Sequence, residues 1–250
     1  MLLTVEGLAK SFGGVRALRQ VSFSVASGDL VALIGPNGAG KTTCFNVIGG
    51  QLRPDAGKVR LGGRDVTGFG PRALFHQGVG RTFQITGTFA SMTVIENVQL
   101  ALISAAGRAL HFWSRARRQR GEAATHLLAQ VGLVDMADRP AGVLAYGDLK
   151  RLELAIALAH GPRLLLMDEP TAGMAGPERR ALMDLTSRLV RAQGMGVLFV
   201  EHDLDTVFGH ADRILVMHRG SLIASGLPDA IKADPEVRAV YLGEEDEPRA

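Results

Sequence analysis

Apolar positions fall along this chain in three successive patterns. From the N-terminus, short apolar runs read as strands at Leu2 to Val5, Val21 to Val25 and Leu30 to Ile34, broken by Gly13-Gly14 and by Ser27-Gly28-Asp29. From about Thr93 to Ala159, long alanine- and leucine-rich stretches replace them and predict a helical insertion. Its last helix sets Leu149, Leu152, Ile156 and Ala159 on one face and Lys150, Arg151 and Glu153 toward another, and Gly161-Pro162 stops it. Arg163 to Met167 and Gly196 to Val200 then read as strands on either side of a helix from Pro177 to Gln193. Pro177 suits the first turn of that helix, Leu182, Leu185 and Leu189 form its stripe, and Gly194 ends it. Strand, helix, strand implies a parallel sheet, and ligands of such sheets gather at the carboxyl ends of the strands.

Composition narrows the class. The 250 residues suffice for one large core, or a core with a subdomain inserted in it. Apolar residues make up 46%, yet no window approaches the roughly 18 uninterrupted apolar residues of a membrane span. The opening Met1-Leu2-Leu3-Thr4-Val5-Glu6 lacks the basic region and cleavage site of a secretion signal. A single cysteine, Cys44, rules out an internal disulfide and fits a reducing cytoplasm. A formal charge of +3 does not establish a nucleic-acid partner, because the charge is local. Arg115, Arg117, Arg118 and Arg120 form a basic run, read either as a solvated face or as a surface for anionic headgroups or a partner's loop. Glu244, Glu245, Asp246 and Glu247 close the chain in an acidic tail expected to be disordered.

The chemistry begins at Gly35, Pro36, Asn37, Gly38, Ala39, Gly40, Lys41 and Thr42, followed by Thr43. This is a complete phosphate-loop pattern between an apolar strand and a helix, and it predicts binding of a nucleoside triphosphate. Small residues let successive backbone N–H groups curl around phosphate oxygens while the next helix offers its positive N-terminal end. Lys41 is expected to reach the terminal phosphates and Thr42 to give Mg²⁺ a hard oxygen ligand. Leu164-Leu165-Leu166-Met167-Asp168-Glu169 places two carboxylates at the end of a buried strand on the same edge. There Asp168 is expected to hold Mg²⁺ through its water shell and Glu169 to deprotonate the attacking water. Val197 to His202 repeats the geometry and delivers an imidazole, with His202 expected to bond the terminal phosphate. Gln84, after Gly80-Arg81-Thr82-Phe83, is expected to touch Mg²⁺ and the attacking water.

Leu144-Ala145-Tyr146-Gly147-Asp148, followed by Leu149-Lys150-Arg151-Leu152-Glu153-Leu154-Ala155, lies between the phosphate loop and the Asp168-Glu169 pair. It resembles the signature segment of ABC-type ATPases, usually Leu-Ser-Gly-Gly-Gln, and the resemblance runs nearly the whole chain. It implies an α/β P-loop NTPase core (1–84 and 161–250) with an N-terminal antiparallel β region and an inserted helical subdomain (85–160). It also implies head-to-tail dimers in which Ala145, Tyr146, Gly147 and Asp148 cover the ATP of a second ATPase subunit. Phe12 stands where the family's aromatic stacks on adenine; the local sequence fits a buried strand-end Phe equally well. Arg81-Thr82-Phe83-Gln84, Glu201-His202-Asp203 and the run from Asp234 to Gly243 resemble the ATPase subunits of branched-chain amino-acid importers. That implies two permeases, an external solute-binding protein, no nucleic acid, and a place at the cytoplasmic face of the cell membrane. Phe83, Ile85, Phe89, Met92 and Val94 fall where the resemblance puts the permease groove, and would otherwise pack the insertion's core.

Two residues depart from the family pattern. Asp148 stands in place of Gln, read either as a carboxylate that repels the partner's ATP or as a helix N-cap, and Met174-Ala175 stands where an Asn or Asp is usual. An export ATPase, a soluble non-transport ABC ATPase and a phosphotransferase are the competing functions. The second lacks its usual paired ATPase units or coiled-coil insertion here, and the third leaves the signature segment unexplained.

Overall fold

The computed structural model describes residues 1–82, 88–106 and 114–242, the side chains of 114–120 and 242 excepted. In chain order the elements are β1 (Leu3–Phe12), β2 (Val15–Val25), β3 (Leu30–Ile34), α1 (Lys41–Ile48), β4 (Ala56–Leu61), β5 (Arg64–Asp65), α2 (Pro71–His76) and β6 (Val79–Arg81). The helices α3 (Val94–Ala105), α4 (Ser114–Val131) and α5 (Tyr146–Leu158) follow. The chain then returns to alternation: β7 (Leu164–Asp168), α6 (Gly176–Gln193), β8 (Gly196–Val200), α7 (Leu204–His210), β9 (Arg213–His218), β10 (Ser221–Gly226), α8 (Pro228–Ala233) and α9 (Pro235–Leu242).

The strands form two sheets. An antiparallel sheet runs β2-β1-β4-β5, and a six-stranded sheet runs β10-β9-β3-β8-β7-β6. In the second sheet every pair is parallel except the edge hairpin β9-β10. The expected antiparallel N-terminal region and parallel core are both present. The first two strands extend well beyond the predicted runs, because Gly13-Gly14 is the hairpin turn joining them, with Phe12 paired to Val15.

The central strand β3 has no exposed face. Leu30, Ala32 and Ile34 look into one core with Met167, Phe199 and the apolar sides of α5 and α6, while Val31 and Leu33 look into another with Phe45 of α1 and the first sheet. Burial on both faces explains the uninterrupted apolar runs of β3, β7 and β8. All three end on one edge, so the segments after Ile34, Asp168 and Val200 emerge together.

Helix α5 corrects the sequence reading. Lys150 and Glu153, expected on a face away from the apolar stripe, are both buried and form an ion pair with Nζ 3.0 Å from Oε2. The helix packs against α3, α4 and α6, and of Lys150, Arg151 and Glu153 only Arg151 keeps a partly exposed side chain. Burial holds the Glu153 carboxyl above its usual range against the opposing pull of Lys150.

Candidate functional site

The phosphate loop needs glycine where the chain crowds itself. A Cβ on Gly35 would lie 2.1 Å from the Met217 carbonyl oxygen and one on Gly40 would lie 2.5 Å from that of Ala17, and both have positive φ, 151° and 101°. The β9-β10 turn holds the loop from behind, since the Gly220 N–H donates to the Ala39 carbonyl at 2.9 Å and the Arg19 N–H to the Gly220 carbonyl at 2.7 Å. Helix α1 starts at Lys41 with no acidic residue in its first turn, which leaves its positive end for an anion. The buried Lys41 ammonium donates to the carbonyls of Gly35 at 2.5 Å and Pro36 at 3.0 Å.

A cleft of about 510 Å³ opens over this loop, lined by Asn37 to Thr43 and, from other elements, by Glu169 and His202. The two side chains meet, with His202 Nε2 3.1 Å from Glu169 Oε1. Glu169 holds φ at 48°, an uncommon value for a residue with a Cβ, and its N–H donates to the Val200 carbonyl at 2.9 Å. That bond continues the β7-β8 ladder one residue past Asp168 and turns the Glu169 carboxylate into the cleft.

Glu201, not singled out as a site residue from sequence, organises this edge from below. It is buried, and its Oε1 accepts from the Thr171 N–H at 2.8 Å and the Thr171 hydroxyl at 2.6 Å, while Oε2 accepts from the His202 N–H at 3.2 Å. One carboxylate thus ties the turn after β7 to the turn after β8. Arg16, Arg19 and Arg219, also missed, line the cleft from β2 and the β9-β10 turn. The only sequence signal for Glu201 is an acidic residue directly before the candidate histidine; the arginines reach the cleft through tertiary pairing alone.

Asp168 ends β7 with its carboxylate largely buried and 3.3 Å from Arg81 Nη2. Burial pushes its pKa up, Arg81 opposes that, and the adjacent Glu169 adds to it. Thr42 and Asp168 are hard oxygen donors, and no cluster of three or more His, Cys, Asp or Glu occurs among the described residues. That donor set fits Mg²⁺, which takes most of its oxygens from water and phosphate, and not a caged metal.

The remaining sequence candidates divide. Phe12 is 47% exposed beside the cleft-lining Val15, which rejects the buried strand-end reading; Lys10 Nζ sits 5.6 Å from its ring centroid. Ala145, Tyr146, Gly147 and Asp148 line no part of the phosphate-loop cleft. They open α5, where the Tyr146 hydroxyl donates to the Ala172 carbonyl at 3.0 Å. Asp148 is not a helix cap: Ala145 is, without a side-chain bond, and Asp148 lies in the first turn 3.7 Å from Arg151. Met174 is buried, and Arg179 joins its carbonyl to the Asp203 carboxylate. Val94 is fully buried and belongs to the insertion's core, whereas Phe89 is exposed and Met92 half-buried. Gln84, Phe83, Ile85, the side chains of the basic run and the acidic tail lie outside the described residues.

The ABC transporter family profile matches residues 18–172, and a second profile, branched-chain amino acid ATP-binding cassette transporter, matches 221–247. The high-affinity branched-chain amino acid transport ATP-binding protein BraF of Pseudomonas aeruginosa is 38% identical over 97% of this chain and 98% of its own length. LivG of Escherichia coli, with the same description, is also 38% identical at the same coverage. Among solved structures, a nucleotide-free ATP-binding cassette from an ABC transporter superposes with a TM-score of 0.84 at 35% identity, over 96% of this chain and 98% of that one. An ADP-bound cassette gives 0.85 at 34% identity, over 97% and 98%.

Proposed function

The chain belongs to the ABC transporter family of ATP-binding proteins, and from that premise we propose that it hydrolyses ATP to power uptake of branched-chain amino acids or a related small solute. Residues 1–84 and 161–250 act as the nucleotide-holding core and 85–160 as the helical subdomain. Its partners are a second ATPase subunit, two permeases and an external solute-binding protein. No helix among the described residues is long and apolar enough to cross a membrane, so the permeases would hold the subunit at the cytoplasmic face.

The observation that carries the reading is the contact between Glu169 and His202 at the mouth of the phosphate-loop cleft. The loop amides and Lys41 bind and orient the β- and γ-phosphates. Thr42, Asp168 and Gln84 would hold Mg²⁺, which when bound neutralises phosphate charge as the bond to the leaving oxygen breaks. Glu169 accepts the proton of the attacking water. His202, already against that carboxylate, donates to the terminal phosphate and restrains Glu169. Thr43 adds a hydroxyl at the cleft wall, and Phe12 offers an exposed ring to adenine. Ala145, Tyr146, Gly147 and Asp148 serve the partner subunit's nucleotide, which agrees with their absence from the lining of this chain's own cleft.

The test is reconstitution with permeases and binding protein in proteoliposomes. ATP inside the subunit's compartment should drive accumulation of labelled leucine. Glu169→Gln should retain ATP but lose about 10²- to 10⁴-fold in turnover, the usual worth of one general base. Wild-type turnover in that variant removes Glu169 from the mechanism. ATP-driven solute movement in the opposite direction rejects an importer.

A further inference from the structure

Arg81 makes more contacts around the Asp168 carboxylate than strand pairing requires. It is the last residue of β6, whose parallel register sets it against Leu166, two residues short of Asp168. Its guanidinium lies 3.3 Å from Asp168 Oδ2 and 3.0 Å from Asn46 Oδ1, bonds Gln51 Oε1, and stacks over the Phe45 ring with its centre 4.8 Å from the centroid. Three of these four partners belong to α1 or the turn after it. The side chains of Arg81 and Asp168 are only 17% and 10% exposed, so water screens the pair weakly. Gly49 completes the arrangement: a Cβ there would lie 2.9 Å from Arg81 Nη1.

We infer that Arg81 is a positioning residue that holds Asp168 as a built-in counterion and competes with the divalent cation for that carboxylate. This rests on the nucleotide-binding reading above and deepens it. Guanidinium and cation are both positive and both need a lone pair of the same two oxygens, directly or through a metal-bound water, so they cannot both be satisfied at full strength. The guanidinium has somewhere to go. Its other side forms part of the wall of a groove of about 260 Å³ between α2, α3 and α5, lined also by Gln51, Leu74, Phe75 and His160. Admission of the metal is therefore linked to where Arg81 points, and the side chain's alternative position faces the helical insertion.

The test measures metal affinity in the nucleotide-loaded subunit. Wild type, Arg81→Gln, Arg81→Lys and Gly49→Ala are saturated with a non-hydrolysable ATP analogue and titrated with Mn²⁺, with free Mn²⁺ read by electron paramagnetic resonance. Arg81→Gln should tighten Mn²⁺ by roughly three- to tenfold, the scale of a half-buried charged contact. Gly49→Ala keeps the arginine but displaces its guanidinium, and should move the affinity in the same direction. Arg81→Lys keeps the charge but loses the fork to Asn46 and Gln51 and the stack on Phe45, and should fall between wild type and Arg81→Gln. Nucleotide affinity measured in EDTA should be the same in all four, which separates competition at the metal from general damage. Unchanged or weaker Mn²⁺ binding in both Arg81→Gln and Gly49→Ala, with nucleotide still bound in EDTA, overturns the inference; should Arg81→Gln fail to fold, Gly49→Ala decides alone. If wild type binds no nucleotide, it is the functional reading that fails.

Discussion

Glu201 and Cys44 make opposite uses of burial. Glu201 is a buried carboxylate with three donors, two from Thr171 and one from the His202 backbone. Glu201→Gln replaces one acceptor oxygen with an NH₂ facing an N–H. We expect kcat to fall at least tenfold with ATP affinity retained, because the turns carrying Glu169 and His202 lose their common anchor, a loss of about 1–3 kcal/mol for a buried donor left unpaired. Full kcat in a stopped-flow phosphate assay would show that the anchor is dispensable. Cys44 is fully buried in α1, and burial pushes its thiol from 9.0 up to about 12. The folded state thus keeps a proton that the unfolded chain loses. The resulting stabilisation is complete below about pH 9 and is lost as pH rises toward 12, at up to about 1.4 kcal/mol per pH unit. Urea titrations from pH 8 to 11 should show wild type losing stability faster than Cys44→Ala, and parallel curves would refute it. The same burial bears on alkylation of Cys44, which should proceed only through opening of α1 and so be slowed by bound ATP. The phosphate loop was legible because crowding at Gly35 and Gly40 admits only glycine. Glu201 was not, since local sequence does not distinguish a buried carboxylate from a solvated one.

At the scale of elements, α5 shows why a helical stripe misleads. Charges at positions 150 and 153 look like a wet face, but α3, α4 and α6 pack around the helix and the two charges pair with each other. The pair is incomplete, for Glu153 Oε1 has no hydrogen-bond partner among the described residues. Lys150→Ala should therefore cost about 3–5 kcal/mol by stranding that carboxylate, whereas Lys150→Met with Glu153→Leu should be close to neutral. Urea unfolding of both variants decides it; equal losses would mean that packing volume matters and charge does not. The start of the same helix carries a second expectation. Ala145 occupies the N-cap without a side-chain acceptor, in the place where the family signature has Ser. Ala145→Ser should add about 0.5–1 kcal/mol by accepting from the first turn. No gain in chemical denaturation would mean that the Ser hydroxyl makes no cap bond. The strands β3, β7 and β8 were readable from sequence because both faces are apolar. The long β1 was harder, because bulges shift its register repeatedly and blur the alternation.

For the whole molecule, the division between exposed surface and core runs through a few residues. Phe89 and Val143 are 55% and 70% exposed, and the Gly142 N–H bond to the Ala90 carbonyl at 3.0 Å brings their segments together. Val94, five residues on from Phe89, is inside. Phe89→Glu should abolish co-purification with the permeases while leaving ATP binding intact, and Val94→Asp should unfold the insertion; normal assembly of Phe89→Glu places the contact elsewhere. The resemblance grouped Phe89 with Val94 in one expected groove, and only packing separates them. The strand order β10-β9-β3-β8-β7-β6 has a further consequence, which lies in time. The strand that feeds the phosphate loop ends at Ile34, but both of its neighbours, Gly196–Val200 and Arg213–His218, are made after most of the chain. A ribosome adding about 5–20 residues per second needs roughly ten to forty seconds to supply them. Throughout that interval Leu30 to Ile34 is an apolar segment with two unpaired edges, a natural target for a chaperone on the nascent chain. A chain released before Gly196 should hold no ATP, although its phosphate loop is complete.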